Sequence, residues 1–162
     1  MKKYTLLSAI LFTIAATVFV ACSSSTKLAR SNFTGNWTVT DVQFEGIPAN
    51  TKIKSQAFDD VPASCFKGST WSLPNNGYGS YTIQSTQDGC TTGTRQIIWS
   101  YDQINGVNYF QFKKLDGTTK AKNVAEGYRV EMSNVMANSF TLRSPVSFEG
   151  QTITIVYYFS KQ

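Results

Sequence analysis

The stretch FTGNWTVTDVQFEG, residues 33–46, decides the fold because it joins a glycine and a tryptophan to an alternating strand. Trp37 and Val39 share one face of this strand, whereas the apolar residues after Asp41 have the opposite parity, which predicts a β-bulge near Asp41. Gly35 can adopt backbone angles that a β-carbon forbids, so the strand can bend sharply at its start. Trp37 is then predicted to bury a large area and to offer its indole N–H to a carbonyl group or a turn.

Further strand-like segments follow at regular spacing, separated by turns that contain Gly, Asn, Asp or Pro. This is the pattern of an all-β domain. The connection after the first strand is long and carries a predicted short helical turn around residues 53–58. The eight predicted strands are 36–44, 66–73, 78–85, 95–101, 107–114, 124–135, 138–143 and 152–159.

Eight short strands joined mostly by short turns favour sequential antiparallel neighbours. We therefore predict an all-β fold, an eight-stranded antiparallel up-and-down β-barrel, because closure removes the exposed edges of a sheet. A barrel of this size has room either for its own side chains or for one small ligand. A two-sheet β-sandwich is the alternative architecture.

Gly35-Asn36-Trp37 at the start of the first strand, the eight strands and the long first connection together resemble the lipocalin pattern. CFKGSTWSLPNNGYGSYTI, residues 65–83, is similar to the second and third strands of lipocalin-like lipoproteins common in Bacteroidetes. The resemblance covers roughly residues 33–160 and implies that Gly35 and Trp37 form the floor of a lipocalin-like barrel. Lipocalins usually stack an arginine on this tryptophan, and here Lys161 is the cation that could take that place.

The same resemblance implies that the barrel binds a small apolar molecule, such as a fatty acid or another lipid. Ligand pockets of this kind are mostly apolar, with a few polar groups that fix orientation. The connection 46–64 would lie over the mouth as a lid. A barrel filled by its own aromatic side chains is the alternative. The residues predicted to line the ligand are Trp71, Tyr81, Trp99, Phe110, Tyr128 and Tyr157.

Residues 1–21 have the composition of a secretory signal peptide, with Lys2 and Lys3 ahead of the apolar run LLSAILFTIAATVFVA. FVAC, residues 19–22, resembles the lipobox of bacterial lipoproteins. In that family the signal is cut before the cysteine, and the cysteine is acylated. The resemblance therefore implies that Cys22 attaches the protein to a membrane.

The polar run after Cys22 predicts a flexible tether over residues 22–32, followed by the barrel domain at residues 33–162. In the sorting rules of these lipoproteins an aspartate after the cysteine signals retention, and Ser23 stands there instead. We therefore expect a location in the bacterial cell envelope, at the outer membrane facing the periplasm.

With Cys22 assigned to lipidation, two cysteines remain, Cys65 and Cys90. The oxidising compartment favours a disulfide bond between them. Closing a loop of about 25 residues would contribute roughly 3–4 kcal/mol in the chain-entropy model. The chain has no histidine and no further thiol, so neither a metal site nor a catalytic cysteine is predicted.

Composition argues against nucleic-acid binding and catalysis. Of the 15 Lys and Arg, loss of Lys2 and Lys3 with the signal leaves 13 against 10 Asp and Glu, and no basic patch carries interleaved aromatics. The absence of histidine removes the usual general base, and we predict no enzyme and no cofactor. Asp59 and Asp60 are adjacent, which favours a solvated pair in a loop.

The sequence thus predicts a lipid-anchored binder of a small apolar ligand. The alternative is a protein-binding barrel, such as a lysozyme or protease inhibitor, that uses the exposed loop 46–64. The mildly basic mature chain disfavours a basic lysozyme as partner, because like-signed proteins associate poorly. A structural or assembly component of the envelope is a third possibility.

Overall fold

The computed structural model of the protein describes residues 28–47, 55–115 and 127–162. Strands dominate these ranges, and no helix within them is long and apolar enough to cross a membrane. The elements are η1 (Arg30–Phe33), β1 (Gly35–Glu45), β2 (Gln56–Ala57), β3 (Val61–Pro62), η2 (Ala63–Phe66), β4 (Thr70–Leu73), β5 (Tyr78–Ile83), β6 (Gly93–Ile104), β7 (Val107–Leu115), β8 (Tyr128–Ser133), β9 (Ser139–Phe148) and β10 (Gln151–Lys161), where η marks a 3₁₀ helix.

Eight of the strands form a closed antiparallel barrel in the order β1-β10-β9-β8-β7-β6-β5-β4. Strand β1 closes it by pairing with β4 on one side, where Trp37 faces Trp71, and with β10 on the other, where Val39 faces Phe159. The predicted all-β, up-and-down barrel is therefore confirmed, and it is consistent with a lipocalin-like barrel. Strands β2 and β3 form a separate two-stranded hairpin within the long first connection.

The pairing of β1 with β10 shifts register between Val39 and Asp41, which is the predicted bulge. The shift explains why the apolar parity changes within one strand, because an extra residue turns the following side chains to the other face. Along most of the remaining strands buried residues alternate with more exposed ones, and the alternating buried side chains fill the barrel interior. Thr141 on β9 and Val156 on β10 are buried outside this alternation.

Three local predictions were wrong. The second predicted strand, 66–73, begins only at Thr70. Strand β9 continues to Phe148, into the segment 144–151 that the sequence predicts as a turn between the strands 138–143 and 152–159. In the long connection, residues 55–58 contain strand β2 and no helical turn, and a 3₁₀ helix lies at Ala63–Phe66 instead. The other part of the predicted helical turn, residues 53–54, lies outside the described residues.

The end of the barrel where β1 begins is called the floor, and Trp37 is fully buried there. Its indole N–H donates a 2.9 Å hydrogen bond to the carbonyl of Phe33, and the Lys161 ammonium lies 5.4 Å from its ring centroid. Gly35 has φ of +127°, a conformation that L side chains rarely adopt. The indole hydrogen bond, the nearby cation and the positive φ at Gly35 are thus present in the structure.

Part of the segment predicted as a tether packs against the floor. Leu28 is half-buried against the core, and helix η1 places Arg30 4.5 Å from the ring centroid of Trp99. The ring of Phe33 lies 4.8 Å from that of Tyr101. Residues 28–32 therefore contribute to the lower cover of the barrel.

Candidate functional site

The aromatic residues predicted to line a ligand lie inside the barrel and contact one another. Trp71 stacks on Tyr81 with ring centroids 4.7 Å apart and lies 6.2 Å from Phe110, which stacks on Trp99 at 5.8 Å. All four side chains are at most 2% exposed. In this conformation they form a filled core, which is one of the two alternatives left open by the sequence.

The opposite end of the barrel, called the mouth, is closed by residues 55–66, which we call the plug. Most of its apolar side chains are buried, and Phe58 packs within the aromatic cluster at that end. The rings around Phe58 have centroids 5.0–5.5 Å away and belong to Phe66, Phe112, Tyr128 and Tyr157. Two of the predicted lining residues, Tyr128 and Tyr157, thus both contact Phe58, which the sequence analysis did not single out.

The tip of the plug has an uncommon backbone. Phe58 and Asp59 have φ of 52° and 46°, and Asp60 N–H donates a 3.1 Å hydrogen bond to the carbonyl of Ala57. Two successive positive φ values are typical of the tight turns that favour asparagine and glycine. A bulky side chain there is an outlier, so the surrounding contacts must hold the turn in place.

A network of polar contacts fixes the plug to the rim of the mouth. The Asp60 carboxylate accepts hydrogen bonds from the Tyr81 hydroxyl at 2.8 Å and from the Arg95 guanidinium at 2.9 and 3.0 Å. The Asp60 and Arg95 side chains are only 14% and 18% exposed. The prediction of a solvated acidic pair is therefore wrong for Asp60, because Arg95 approaches it from a distant strand.

Asp59 is exposed, and it is bound by two residues on the other side of the mouth. The Tyr128 hydroxyl lies 2.9 Å from both the carbonyl of Phe58 and the carboxylate of Asp59, and Lys114 donates to the Asp59 carbonyl at 2.8 Å. Phenol, guanidinium and ammonium groups thus surround a short segment that carries one aromatic ring and two carboxylates.

Tyr157 has a buried hydroxyl with no hydrogen-bond partner among the described residues. Burial raises the pKa of this hydroxyl well above its ordinary value of 10.0. Burial and the hydrogen bond to Asp60 raise the pKa of Tyr81 in the same way. An unpaired buried hydroxyl is costly, so its presence in an aromatic cluster calls for an explanation.

The disulfide bond between Cys65 and Cys90 is present, as predicted, with Cα atoms 5.6 Å apart. Cys65 belongs to helix η2 at the end of the plug, and Cys90 lies in the turn between β5 and β6. The bond therefore fastens the plug to the mouth end of the barrel. Cys22 and residues 48–54 of the predicted lid lie outside the described residues.

Sequence reasoning missed three participants at the mouth, namely Phe58, Phe66 and Arg95, and assigned a fourth, Asp60, to a solvated pair. The available signal was the composition of the plug, since Phe58 and Phe66 are large apolar residues in a segment without strand alternation. The link between Asp60 and Arg95 spans 35 residues, and spacing alone does not reveal it.

The described ranges contain no group of three or more His, Cys, Asp or Glu side chains that could hold a metal ion. What they define is an aromatic barrel closed by an acidic, aromatic plug. Comparison of the chain with known protein families, with curated proteins and with solved structures finds no match.

The buried tyrosines predict a loss of stability in alkali. Because the folded protein raises the pKa of Tyr81 and Tyr157, their stabilisation is complete below the unfolded pKa of about 10 and is lost as pH rises above it. For Tyr157 the limiting slope is about 1.4 kcal/mol per pH unit. We expect Tyr157→Phe to flatten the fall in unfolding free energy between about pH 9.5 and pH 11, measured by urea denaturation.

The matched control for this prediction is Tyr78→Phe, because Tyr78 is 60% exposed. This control should retain the wild-type slope. At neutral pH, Tyr157→Phe should be as stable as the wild type or more so, since it removes an unpaired hydroxyl. If the unfolding free energy of Tyr157→Phe fell as steeply with pH as that of the wild type, Tyr157 would not be a cause of the alkaline loss of stability.

Proposed function

We propose that this protein is a lipid-anchored component of the bacterial envelope that holds a small apolar acid, such as a fatty acid, in its barrel. In the closed conformation the plug occupies the ligand position. Binding then requires the plug to leave the mouth, which frees Phe112, Tyr128 and Tyr157 as an apolar wall. The protein is proposed to bind this ligand without chemical change.

The observation that carries the proposal is the chemistry of the plug tip. Phe58 places an apolar ring in the aromatic cluster, while the adjacent Asp60 carboxylate binds Tyr81 and Arg95 at the rim. A fatty acid has the same arrangement, with an apolar body and one carboxylate. The positive φ at Phe58 is an unfavourable backbone conformation that the surrounding contacts hold in place. This strain supports a plug that can be displaced.

The unpaired hydroxyl of Tyr157 also fits this proposal. It is buried beside Phe58 and Phe66, so departure of the plug would leave it facing the space that the plug had filled. There it would be a free hydrogen-bond donor inside the vacated space. A few polar groups in an apolar pocket are what orient a ligand.

The envelope location and the anchor are parts of the same proposal. They rest on the signal-like residues 1–21 and on the lipobox-like sequence that ends at Cys22. We place the barrel at the outer membrane, facing the periplasm, with an acylated Cys22 as its attachment. Two or more acyl chains would hold it firmly, whereas one chain binds only marginally.

The protein-binding alternative, which uses loop 46–64, has less support. Within its described part, Ala57, Val61 and Ala63 are at most 3% exposed and face the barrel, so a partner would not reach them in this conformation. The alternatives of an inhibitor and of an envelope assembly component stay predictions without a specific contact in their favour.

Loosening the plug should tighten ligand binding. We expect Asp60→Ala to weaken the closed conformation, because it leaves Tyr81 and Arg95 without their shared carboxylate. Hydrogen bonds to charged groups are worth about 1.5–3 kcal/mol, so the apparent affinity for cis-parinaric acid should rise by about 10-fold or more. The measurement is fluorescence titration of the chain from Ser23 to Gln162, which retains every described residue.

The matched control is Asp41→Ala, which removes a carboxylate paired with Lys67 at 2.8 Å. That pair is 37% and 63% exposed and lies outside the barrel, so neither affinity nor melting temperature should change much. Absence of fatty-acid binding in the wild type and in Asp60→Ala would exclude the proposal. Weaker binding by Asp60→Ala than by Asp41→Ala would exclude the plug as the competitor.

A substitution of Arg95 tests whether the site selects a ligand with a carboxylate head group. Arg95→Gln should also loosen the plug, but it removes the cation that would receive a carboxylate. We expect this variant to bind hexadecanol more tightly than the wild type does and to show no such gain for palmitate. Equal gains for the alcohol and the acid would show that the rim does not select a carboxylate.

A further inference from the structure

The exposed large apolar side chains of the described residues lie at one end of the barrel. They are Tyr78, Val107 and Met136, with exposures of 60%, 36% and 69%. Tyr78 begins β5, Val107 begins β7, and Met136 lies in the turn between β8 and β9. Because the strands alternate in direction, all three positions are at the floor, opposite the plug.

The turns at the floor also lack charge. They have the sequences PNNG at 74–77, NG at 105–106 and NVMAN at 134–138, without Asp, Glu, Lys or Arg. The corresponding turns at the mouth contain Asp88 and Glu149. The turns that carry or adjoin the exposed apolar side chains therefore contain no charged residue.

Two cations border this surface. Lys161 ends β10 above Trp37, and Arg30 packs over Trp99, both at the floor. The nearest acids along the floor strands are Asp102 and Glu131, each three residues before a floor turn. An apolar surface bordered by cations suits an anionic lipid surface, which repels acidic side chains and attracts basic ones.

The proposed anchor, Cys22, is close in sequence to the residues that pack at the floor. Five residues, 23–27, separate Cys22 from Leu28, which packs at the floor. Even a fully extended chain spans about 20 Å over six residue steps. An acylated Cys22 would therefore keep the floor within about 20 Å of the bilayer, and this step rests on the anchor in the proposed function.

We propose that the floor docks on the lipid bilayer, with Tyr78, Val107 and Met136 entering the interfacial zone. Tyrosine suits this zone because its ring is apolar and its hydroxyl stays hydrated. The mouth then faces away from the membrane that holds the anchor. The ligand would enter from the aqueous side or from a carrier, and would not pass directly out of the anchoring bilayer.

The test is photo-crosslinking of the full chain in the membranes of a bacterial host. Met136, Val107 and Tyr78 are replaced singly by p-benzoylphenylalanine, and lipid adducts are measured by mass spectrometry after irradiation. The matched controls are Gln87 and Glu149, which are exposed residues in mouth turns. We expect at least tenfold more lipid adduct at the floor positions than at the mouth positions.

Equal adducts at both ends, or adducts only at the mouth, would overturn the proposed orientation. Adducts that are mainly protein at all three floor positions would show that this surface meets a protein instead of lipid. Because the replaced side chains are exposed, unchanged melting temperatures should confirm that each variant is folded.

The anchor is tested separately, by the mass of the N-terminal peptide that contains Cys22. Acylated Cys22 without floor adducts would overturn docking and leave the proposed anchor in place. Floor adducts with an unmodified Cys22 would support docking and remove the anchor from the proposed function. The two failures are therefore distinguishable.

Discussion

Replacing Phe58 by alanine is expected to lower the free energy of unfolding by about 3 kcal/mol and to strengthen fatty-acid binding at the same time. The ring is 8% exposed and contacts four aromatic neighbours, so its removal leaves a cavity in a closely packed cluster. The same cavity lies where we propose that the ligand binds. Loss of stability and gain of affinity should therefore come from a single substitution.

The expected loss of unfolding free energy combines the cost of the cavity with the partial relaxation of the turn around it. Large-to-small substitutions of buried phenylalanines cost about 3–5 kcal/mol, and a turn at the end of the barrel can relax more than a central strand can. Urea unfolding measures the loss, and titration with cis-parinaric acid measures the gain. Destabilisation without any gain in affinity would show that the ring only fills the core.

The backbone strain at this position has its own control. Phe58→Gly removes the same ring as Phe58→Ala, but glycine adopts φ of 52° at no steric cost. The glycine variant should consequently be more stable than the alanine variant by about 1 kcal/mol, which is the reverse of the usual order within regular structure. If alanine is the more stable of the two, the turn relaxes freely and is not held under strain.

The barrel was predictable because its signals are local and periodic. Apolar residues such as Ile97 and Trp99 alternate along their strands, and this alternation determines which faces are buried. The floor was predictable for the same reason, since Gly35 and Trp37 lie at the start of the strand that they shape. The bulge near Asp41 appears directly as a change of parity in the sequence.

The extent of β9 was not predictable from local composition, because Pro145 cannot donate to a ladder and usually marks a turn. The pairing of β9 with β8 stops at Arg143, whereas its pairing with β10 continues past Pro145. Beyond Arg143 the strand is thus paired on one side among the described residues. A proline is compatible with such a position.

The plug was the least predictable part, because tertiary contacts determine its conformation. Positive φ at Phe58 contradicts the local preference of a bulky residue and requires the rim to hold it. The rim residues come from strands that are distant in sequence, such as Tyr81 on β5 and Lys114 on β7. The long first connection and the paired cysteines did indicate where such a structure would form.

Removal of the disulfide by Cys65→Ala together with Cys90→Ala is expected to lower the free energy of unfolding by about 3–4 kcal/mol. The cysteines are 25 residues apart, and closing a loop of that length restricts the unfolded chain by about this amount. For a domain of this size, the melting temperature should fall by about 10–15 °C. Thermal unfolding followed by circular dichroism measures the change.

The same bond should also control the plug. It joins η2 to the turn between β5 and β6, so without it the plug is held closed by the rim contacts of Asp59 and Asp60 and by the packing of side chains such as Phe58 and Phe66. We expect the double alanine variant to bind cis-parinaric acid more tightly than the wild type. A reducing agent should produce the same gain in the wild type and no change in the variant. Weaker binding by the variant would mean that the bond shapes the ligand site instead of restraining the plug, because a bond that only restrains the plug opposes ligand entry.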